Sequence, residues 1–255
     1  MLYTKISHMK TAERVEALTT SLVSLSSVNG TVGEGTKANF IKEVIMSYPY
    51  FQENPGHVWE QVIPNDPYNR KNIFAFIEGH GESRNTVIYH AHLDTVGIED
   101  FGPLKDIAFD WEKLADYFSR YEFDQDVQRD AKSGEWMFGR GSVDMQSGIA
   151  VHLANLLHFS ENLDTLPGNL LFMANPDEES QHSGVLASIS ELNRLKKENS
   201  FIIWLPLIRI LLRRFTMVIR QGISTPEPRE NCCLAFTSTG EKYMLAIRWQ
   251  ALIQI

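Results

Sequence analysis

Residues 86–94 read TVIYHAHLD, a β-branched apolar run that ends in two histidines and an aspartate. Such a run predicts a buried β-strand with a polar patch at its carboxyl end. Two more polar patches stand at element ends: GRGSVD at 139–144 precedes a predicted helix, and DEE at 177–179 follows a predicted strand at 170–173. Carboxylates and imidazoles are costly to place beside a core unless something holds them, and one or two divalent metals would do so.

Apolar periodicity predicts alternating strands and helices around these patches. The predicted strands cover 58–62, 72–77, 86–89 and 170–173, and the predicted helices start at Thr11 and cover 37–47, 145–158 and 185–197. Alternation of this kind is typical of an α/β sheet, in which ligand sites lie just beyond the carboxyl ends of the strands. The three patches are therefore expected to converge on one site.

Charge is unevenly distributed along the 255 residues. The net charge of −8 argues against a nucleic-acid-binding protein, which is usually basic. Residues 1–200 carry −12, whereas residues 201–255 carry +4, with seven Lys or Arg, three Glu and no Asp. An asymmetry of this size indicates that the last 55 residues are a distinct segment.

The cysteine content and the N-terminal sequence indicate the cellular compartment in which the protein is expected. The two cysteines, Cys232 and Cys233, are adjacent, and residues 1–231 contain no thiol, which excludes a disulfide framework. The N-terminus lacks the apolar region of a signal peptide, so we expect a cytoplasmic protein. The apolar stretch 201–218 is interrupted by a proline and three arginines and is too short to span a membrane, which needs about 20 apolar residues.

The residue types in the patches are those of a hydrolytic metal site. In the first patch, Asp94 can hold the second ring nitrogen of a metal-bound His92. Asp144, in a glycine-rich turn, can bridge two metals. Glu178 and Glu179 can divide the work, because one can bind metal while the other takes a proton from the attacking water.

Each patch has a plainer explanation when it is taken alone. A His-x-Asp pair is usually a hydrogen-bonded surface pair, a Gly-x-Gly-x-x-Asp stretch is usually a turn before a helix, and an acidic run is usually a solvated loop. His90 is ambiguous, because its spacing to Asp94 is poorer, and the remaining histidines are expected to be structural. The combination of all three patches at element ends favours a functional site.

The patches also resemble a family signature. The M20 metallopeptidases, which include zinc aminoacylases, deacylases and carboxypeptidases, carry His-x-Asp-x-Val, Gly-Arg-Gly-x-x-Asp-x-Lys and a Glu-Glu pair. This chain has the corresponding stretches at 92–96, 139–148 and 178–179, with Gln146 in place of the usual lysine. The resemblance covers residues 10–200 and is closest to an arginine-utilisation member of the family.

The resemblance implies a fold, a metal site and a substrate class. The fold would be an incomplete zinc-peptidase catalytic domain, a three-layer αβα sandwich with a mixed, mostly parallel sheet. Two divalent ions, zinc or cobalt, would be held by His92 on one ion, Glu179 on the other and Asp144 between them. Glu178 would be the general base and Asp94 would orient His92. The substrate would be a small peptide or an N-acyl amino acid, and the reaction would be amide hydrolysis.

Residues 201–255 do not fit the family pattern. Family members continue with another acidic ligand and further histidines, but this segment contains no Asp and no His. With a choice among synonymous codons, a reading two nucleotides later allows family-like strings. We therefore predict a partial catalytic domain at 1–200 and an aberrant, poorly packed tail at 201–255 produced by a frame shift. The alternatives are a genuine but unusual tail, an inactive remnant with an incomplete metal site, and a tail-anchored interaction module.

Overall fold

The computed structural model describes residues 2–199, 202–206, 235–238 and 243–248. Its helices are α1 (Leu2–Ile6), α2 (Thr11–Val23), α3 (Gly33–Met46), α4 (Pro49–Glu53), α5 (Trp111–Ser119), α6 (Gln125–Ser133), α7 (Ser147–Glu161) and α8 (Ser183–Asn199). Its strands are β1 (Val58–Val62), β2 (Lys71–Ile77), β3 (Asn85–His92), β4 (Trp136–Phe138), β5 (Asn169–Asn175), β6 (Ile202–Pro206), β7 (Ala235–Ser238) and β8 (Tyr243–Arg248).

The main sheet has five strands in the order β1-β2-β5-β3-β6. The pairs β1–β2 and β2–β5 are antiparallel, whereas β5–β3 and β3–β6 are parallel. A short loop joins β1 to β2, and α7 crosses over between β3 and β5, which accounts for the two kinds of pairing. The predicted mixed sheet is confirmed, although among the described strands parallel and antiparallel pairs are equal in number and the sheet is not mostly parallel.

Helices cover both faces of this sheet. Residues of α2, α3 and α7 share one buried cluster with sheet residues, Leu18 and Leu153 with Phe172 among them. On the opposite face, Leu195 of α8 belongs to a smaller cluster with Phe74. The three-layer αβα sandwich is thus present, because helices on both faces bury apolar side chains against the sheet.

Strand β3 is longer than its apolar run. The predicted strand ends at Tyr89, but pairing with β5 continues through His90 opposite Met173 and His92 opposite Asn175. The ladder thereby carries His92 to the last position of the strand, at the carboxyl edge of the sheet.

Residues 99–138 form a small unit in which we predicted no helix or strand. Helices α5 and α6 and strand β4 enclose their own apolar cluster, which includes Phe101, Leu114 and Phe138. Each helix is only nine residues long, so its apolar pattern repeats over few turns and is easily overlooked in the sequence. A capping signal was present, since the side chain of Asp110 accepts from the backbone nitrogen of Lys113 in α5, and that of Asp124 accepts from the backbone nitrogens of Asp126 and Val127 in α6.

Parts of the segment 201–255 pair with the rest of the chain. Strand β6 lies parallel to β3, and β8 is antiparallel to β4 and to β7. This backbone pairing differs from the expectation that the tail contacts residues 1–200 only sparsely. The domain division at residue 200 and the frame shift stay predictions, which the nucleotide sequence around codons 198–202 would test, and most of the tail lies outside the described residues.

Within the described ranges, every helix is too short or too polar to cross a membrane.

Candidate metal centre

Two of the three polar patches meet because their strands are neighbours. Strands β3 and β5 run parallel, so His92 and the DEE loop that follows Asn175 leave the sheet at the same edge. The junction is fixed by a 2.8 Å hydrogen bond from the backbone nitrogen of Leu93 to the carbonyl of Asn175. The parallel register therefore places the first and third patches side by side.

The second patch reaches this edge through the turn between β4 and α7. Gly141 has φ 76°, and a Cβ atom there would lie 2.5 Å from Cγ2 of Thr95. Only glycine adopts this conformation without strain and leaves room for the neighbouring strand end. The turn brings Asp144 over His92, just before α7 begins.

The predicted convergence of the patches is present. Three possible metal-ligand atoms lie within 4.8 Å of one another, one each from His92, Asp144 and Glu179. Nε2 of His92 is 2.8 Å from Oδ1 of Asp144 and 4.0 Å from Oε2 of Glu178.

Asp94 is buried behind the cluster and contacts it in two ways. Its carboxylate accepts hydrogen bonds from the backbone nitrogens of Glu178 and Glu179, at 3.1 and 2.9 Å. Nδ1 of His92 is 3.1 Å from the carbonyl oxygen of Asp94 and 3.6 Å from its carboxylate. The carbonyl thus makes the shorter contact with His92, while the carboxylate mainly holds the backbone of the acidic loop.

The charges of the cluster shift the pKa values of its members. Burial would lower the pKa of His92, but hydrogen bonds to Asp144 and Asp94 outweigh it and raise the pKa to about 10. Burial would raise the pKa of Asp94, but hydrogen bonds from His92 and from the backbone of Glu179 lower it to about 2. Burial and the charge of Asp144 raise the pKa of Glu179.

This donor set fits a divalent metal. One imidazole nitrogen and two carboxylates are ligands that zinc prefers. The charge of Asp144 adds to burial in raising the pKa of Glu179, and a dication between the two carboxylates would offset their repulsion. The side chains of Asp144 and Glu178 are 61% and 38% exposed, whereas that of His92 is 7% exposed. The cluster is therefore closed on the His92 side and open to solvent on the other.

The remaining sequence candidates lie outside the cluster. His90 is not one of the converging donors, and burial lowers its pKa to about 4. His152 is a core residue whose ring stacks on Tyr89 at 4.8 Å. Gln146, which replaces the usual lysine, is buried, and its side-chain nitrogen donates to the carbonyl of Leu93 at 3.3 Å. Gln146 thus braces the strand end beside the site.

Sequence reasoning missed a group of polar residues behind the acidic loop. The side-chain nitrogen of Asn29 donates to the carboxylates of Asp94 and Asp177 at 2.8 and 3.2 Å. Glu34 and Lys37 are fully buried on the inner face of α3. Their spacing to the buried Ile41 gave a signal, because positions three, four and seven residues apart share one helix face.

Lys37 provides a test of this buried region by pH. Its Nζ has no hydrogen-bond partner in the described part of the chain, and burial lowers its pKa from 10.5 to about 7, against the raising effect of Asp94. Between these pH values the unfolded chain binds more protons, so the free energy of unfolding should rise with pH by up to about 1.4 kcal/mol per unit.

We expect the Lys37→Met variant to lose this rise. Urea unfolding of the wild type and the variant at several pH values between 7 and 10.5 measures the difference. Lys42→Met, which removes a more exposed lysine of the same helix, is the control and should keep the wild-type slope. Equal slopes for Lys37→Met and the wild type would contradict the assigned burial.

Known proteins are similar to this chain in sequence. A family model described as peptidase family M20/M25/M40 matches residues 88–210. Protein RocB of Bacillus subtilis (strain 168) is 92% identical over 198 residues, which cover 78% of this chain and 35% of that protein. The uncharacterized protein YqjN of the same organism is 33% identical over 192 residues, which cover 74% of this chain and 34% of that protein. The chain thus spans about a third of the length of these curated relatives.

Solved structures give more distant likenesses. LapB from Legionella pneumophila has a TM-score of 0.48 at 14% identity, covering 74% of this chain and 41% of that one. The M20 family metallo-carboxypeptidase Sso-CP2 from Sulfolobus solfataricus has a TM-score of 0.45 at 14% identity, covering 74% of this chain and 35% of that one. The family-model match over residues 88–210 and the identity to Protein RocB show that this part of the chain resembles peptidase family M20/M25/M40.

Proposed function

We propose that this chain carries part of the active site of a metal-dependent hydrolase that cleaves amide bonds in small peptides or N-acyl amino acids. The observation that carries the proposal is the convergence of His92, Asp144 and Glu179 within 4.8 Å, with Glu178 beside them. The resemblance to an arginine-utilisation protein and the lack of thiols before Cys232 support a role in cytoplasmic arginine or amino-acid utilisation.

Each residue of the cluster has a distinct task in this proposal. His92, Asp144 and Glu179 would hold zinc or cobalt, with Asp144 shared between two ions. A bound ion would polarise the scissile carbonyl and ease the ionisation of the attacking water. Glu178, on the open side of the cluster, takes the proton of that water and delivers it to the leaving amine. Asp94 keeps His92 and the backbone of the acidic loop in place.

A second candidate is a non-catalytic product with an incomplete site. Among the described residues, the metal-ligand cluster contains one histidine and two carboxylates. Two ions that share one carboxylate would each have only two protein ligands, whereas hydrolytic zinc sites generally use three on each ion. In this alternative the chain binds metal weakly and turns over no substrate.

Metal binding by the wild-type chain tests whether the cluster is a metal site. We expect His92→Ala to lower the affinity for Zn²⁺ by at least about 100-fold. Removal of a side chain that only hydrogen-bonds to a metal ligand already lowers metal affinity about 10–100-fold, and His92 would bind the metal directly. Calorimetric titration of the metal-free protein gives affinity and stoichiometry. His158→Ala, which alters an exposed histidine of α7, is the matched control. Absent zinc binding, or equal binding by wild type and His92→Ala, would contradict the proposal.

A further inference from the structure

A buried ion-pair network lies directly behind the acidic loop, with Arg70 at its centre. The guanidinium of Arg70 is 3.0 Å from the carboxylate of Asp177, 3.1 Å from that of Glu34 and 2.6 Å from that of Asp66. All four side chains are almost completely removed from solvent. One arginine thus connects helix α3, the loop before β2 and the loop after β5.

The network holds Asp177 at both its backbone and its side chain. The backbone nitrogen of Asp177 donates to Glu34 at 2.9 Å, and Oδ1 of Asp177 accepts from Arg70. Oδ2 of Asp177 accepts from the backbone and the hydroxyl of Ser183. Asp177 has φ 67°, a left-handed conformation that a non-glycine residue keeps only when its surroundings hold it.

The two residues after Asp177 carry the chemistry of the site. The backbone nitrogens of Glu178 and Glu179 donate to Asp94, so the loop is fixed by Asp94 on one side and by the Arg70 network on the other. The direction in which Glu178 and Glu179 leave the loop depends on both anchors, because the φ of Asp177 sets the path of the chain that follows.

Stability alone does not account for such a network. A buried ion pair is on average no more stabilising than a well-packed apolar replacement, because desolvation offsets the Coulombic gain. Burial raises the pKa of Glu34 to about 7 despite the opposing effect of Arg70, so the carboxylates are held together at a cost. Networks of this kind are well suited to fixing the geometry of a site.

We propose that Arg70 is a positioning residue that acts through Asp177 and Glu34 to direct Glu178 and Glu179 toward His92 and Asp144. The inference rests on the proposed metal-dependent hydrolysis for its purpose, but the link from Arg70 to the acidic loop is independent of it. Arg70 does not touch the metal-ligand cluster, and its effect is transmitted by the loop backbone.

The first test measures the loop in the metal-free 255-residue protein. Arg70→Met keeps the length of the side chain but removes its donors and charge. We expect hydrogen exchange at the amides of 177–179 to become at least about tenfold faster, because charge-assisted hydrogen bonds that protect the loop are lost. Amides of α5 and α6 serve as the internal reference and should be unchanged. Arg14→Met, which removes a partly buried arginine at the α1–α2 junction, is the control and should leave the loop unaffected.

The second test measures metal binding by the visible absorption of Co²⁺. We expect Arg70→Met to lower Co²⁺ affinity about 10–100-fold and to change the absorption spectrum, whereas Arg14→Met changes neither. Arg70→Lys keeps the positive charge but not the planar guanidinium with its several N–H donors. Its Co²⁺ affinity should therefore lie between those of Arg70→Met and the wild type. A role in stability alone would lower the melting temperature and leave the affinity of the folded protein intact.

The outcomes separate the inference from the proposed function. If the wild type binds no Co²⁺, the proposed function fails and the exchange experiment still decides whether Arg70 holds the loop. If Arg70→Met exchanges its amides at 177–179 as slowly as the wild type does, the positioning role is overturned. It is also overturned if exchange is faster but the affinity of Arg70→Met for Co²⁺ equals that of the wild type. If Arg70→Met does not fold, Arg70→Lys and Asp177→Asn carry both measurements, and wild-type values in both variants overturn the inference.

Discussion

Replacing Glu178 by glutamine should reduce kcat by about 10²–10⁴-fold, the usual contribution of a general base, and should leave the metal content unchanged. The carboxylate of Glu178 lies 4.0 Å from Nε2 of His92 on the exposed side of the cluster, where a water attacking the substrate would stand. Glutamine keeps the shape of the side chain and the backbone hydrogen bond to Asp94, but it cannot accept the proton.

The measurement uses a chimera in which the matched part of this chain continues into the segment that follows the match in Protein RocB. Turnover of N-acyl amino acids and dipeptides is compared at equal zinc content. Glu161→Gln, at the distant end of α7, is the control and should keep full activity. Glu179→Gln should instead lose metal, which separates the two adjacent glutamates. Undiminished kcat in Glu178→Gln at equal zinc content would rule out its role as the base.

Sequence periodicity predicted the sheet because it reports burial directly. Runs such as residues 86–89 and 170–173 are apolar on both faces, and they lie in the two central strands, which are covered by helices on each side. Element ends were less well defined. The strand β3 extends to His92, since the hydrogen-bond ladder to β5 tolerates polar side chains once the neighbouring strand is in place.

The candidate site was only half predictable, for a physical reason. His92, Asp144 and Glu179 stand at the ends of predicted elements, so their convergence follows from the topology of an α/β sheet. The contacts of Arg70 and Asn29 join segments far apart in the chain, and they depend on a left-handed residue, Asp177, that no periodicity reveals. A charged residue on the inner face of α3 was the signal that could have drawn attention to this region.

The 255-residue chain by itself should show no measurable turnover, in contrast to the chimera. Dinuclear hydrolysis requires both ions to be held, and each ion needs several protein ligands. His92 and the shared Asp144 would serve one ion, and Glu179 with the same Asp144 would serve the other. Residues 201–255 contain no Asp and no His, so the imidazole ligands that the family resemblance implies are absent from that segment.

The adjacent pair Cys232–Cys233 does not replace them in this prediction. Thiolates bind zinc well, but these two lie beyond the last element of the main sheet, about thirty residues after the predicted break. Loss of side chains that only hydrogen-bond to metal ligands lowers metal affinity about 10–100-fold, and loss of the ligands themselves should lower it more. The direct measurement is an assay of the purified chain in excess Zn²⁺ or Co²⁺ on N-acyl amino acids and dipeptides, with the chimera as positive control. Turnover by the 255-residue chain on the order of 1–10³ per second, the range of ordinary enzymes, would show that residues after 200 supply the missing ligands and would reject both the frame shift and the inactive alternative.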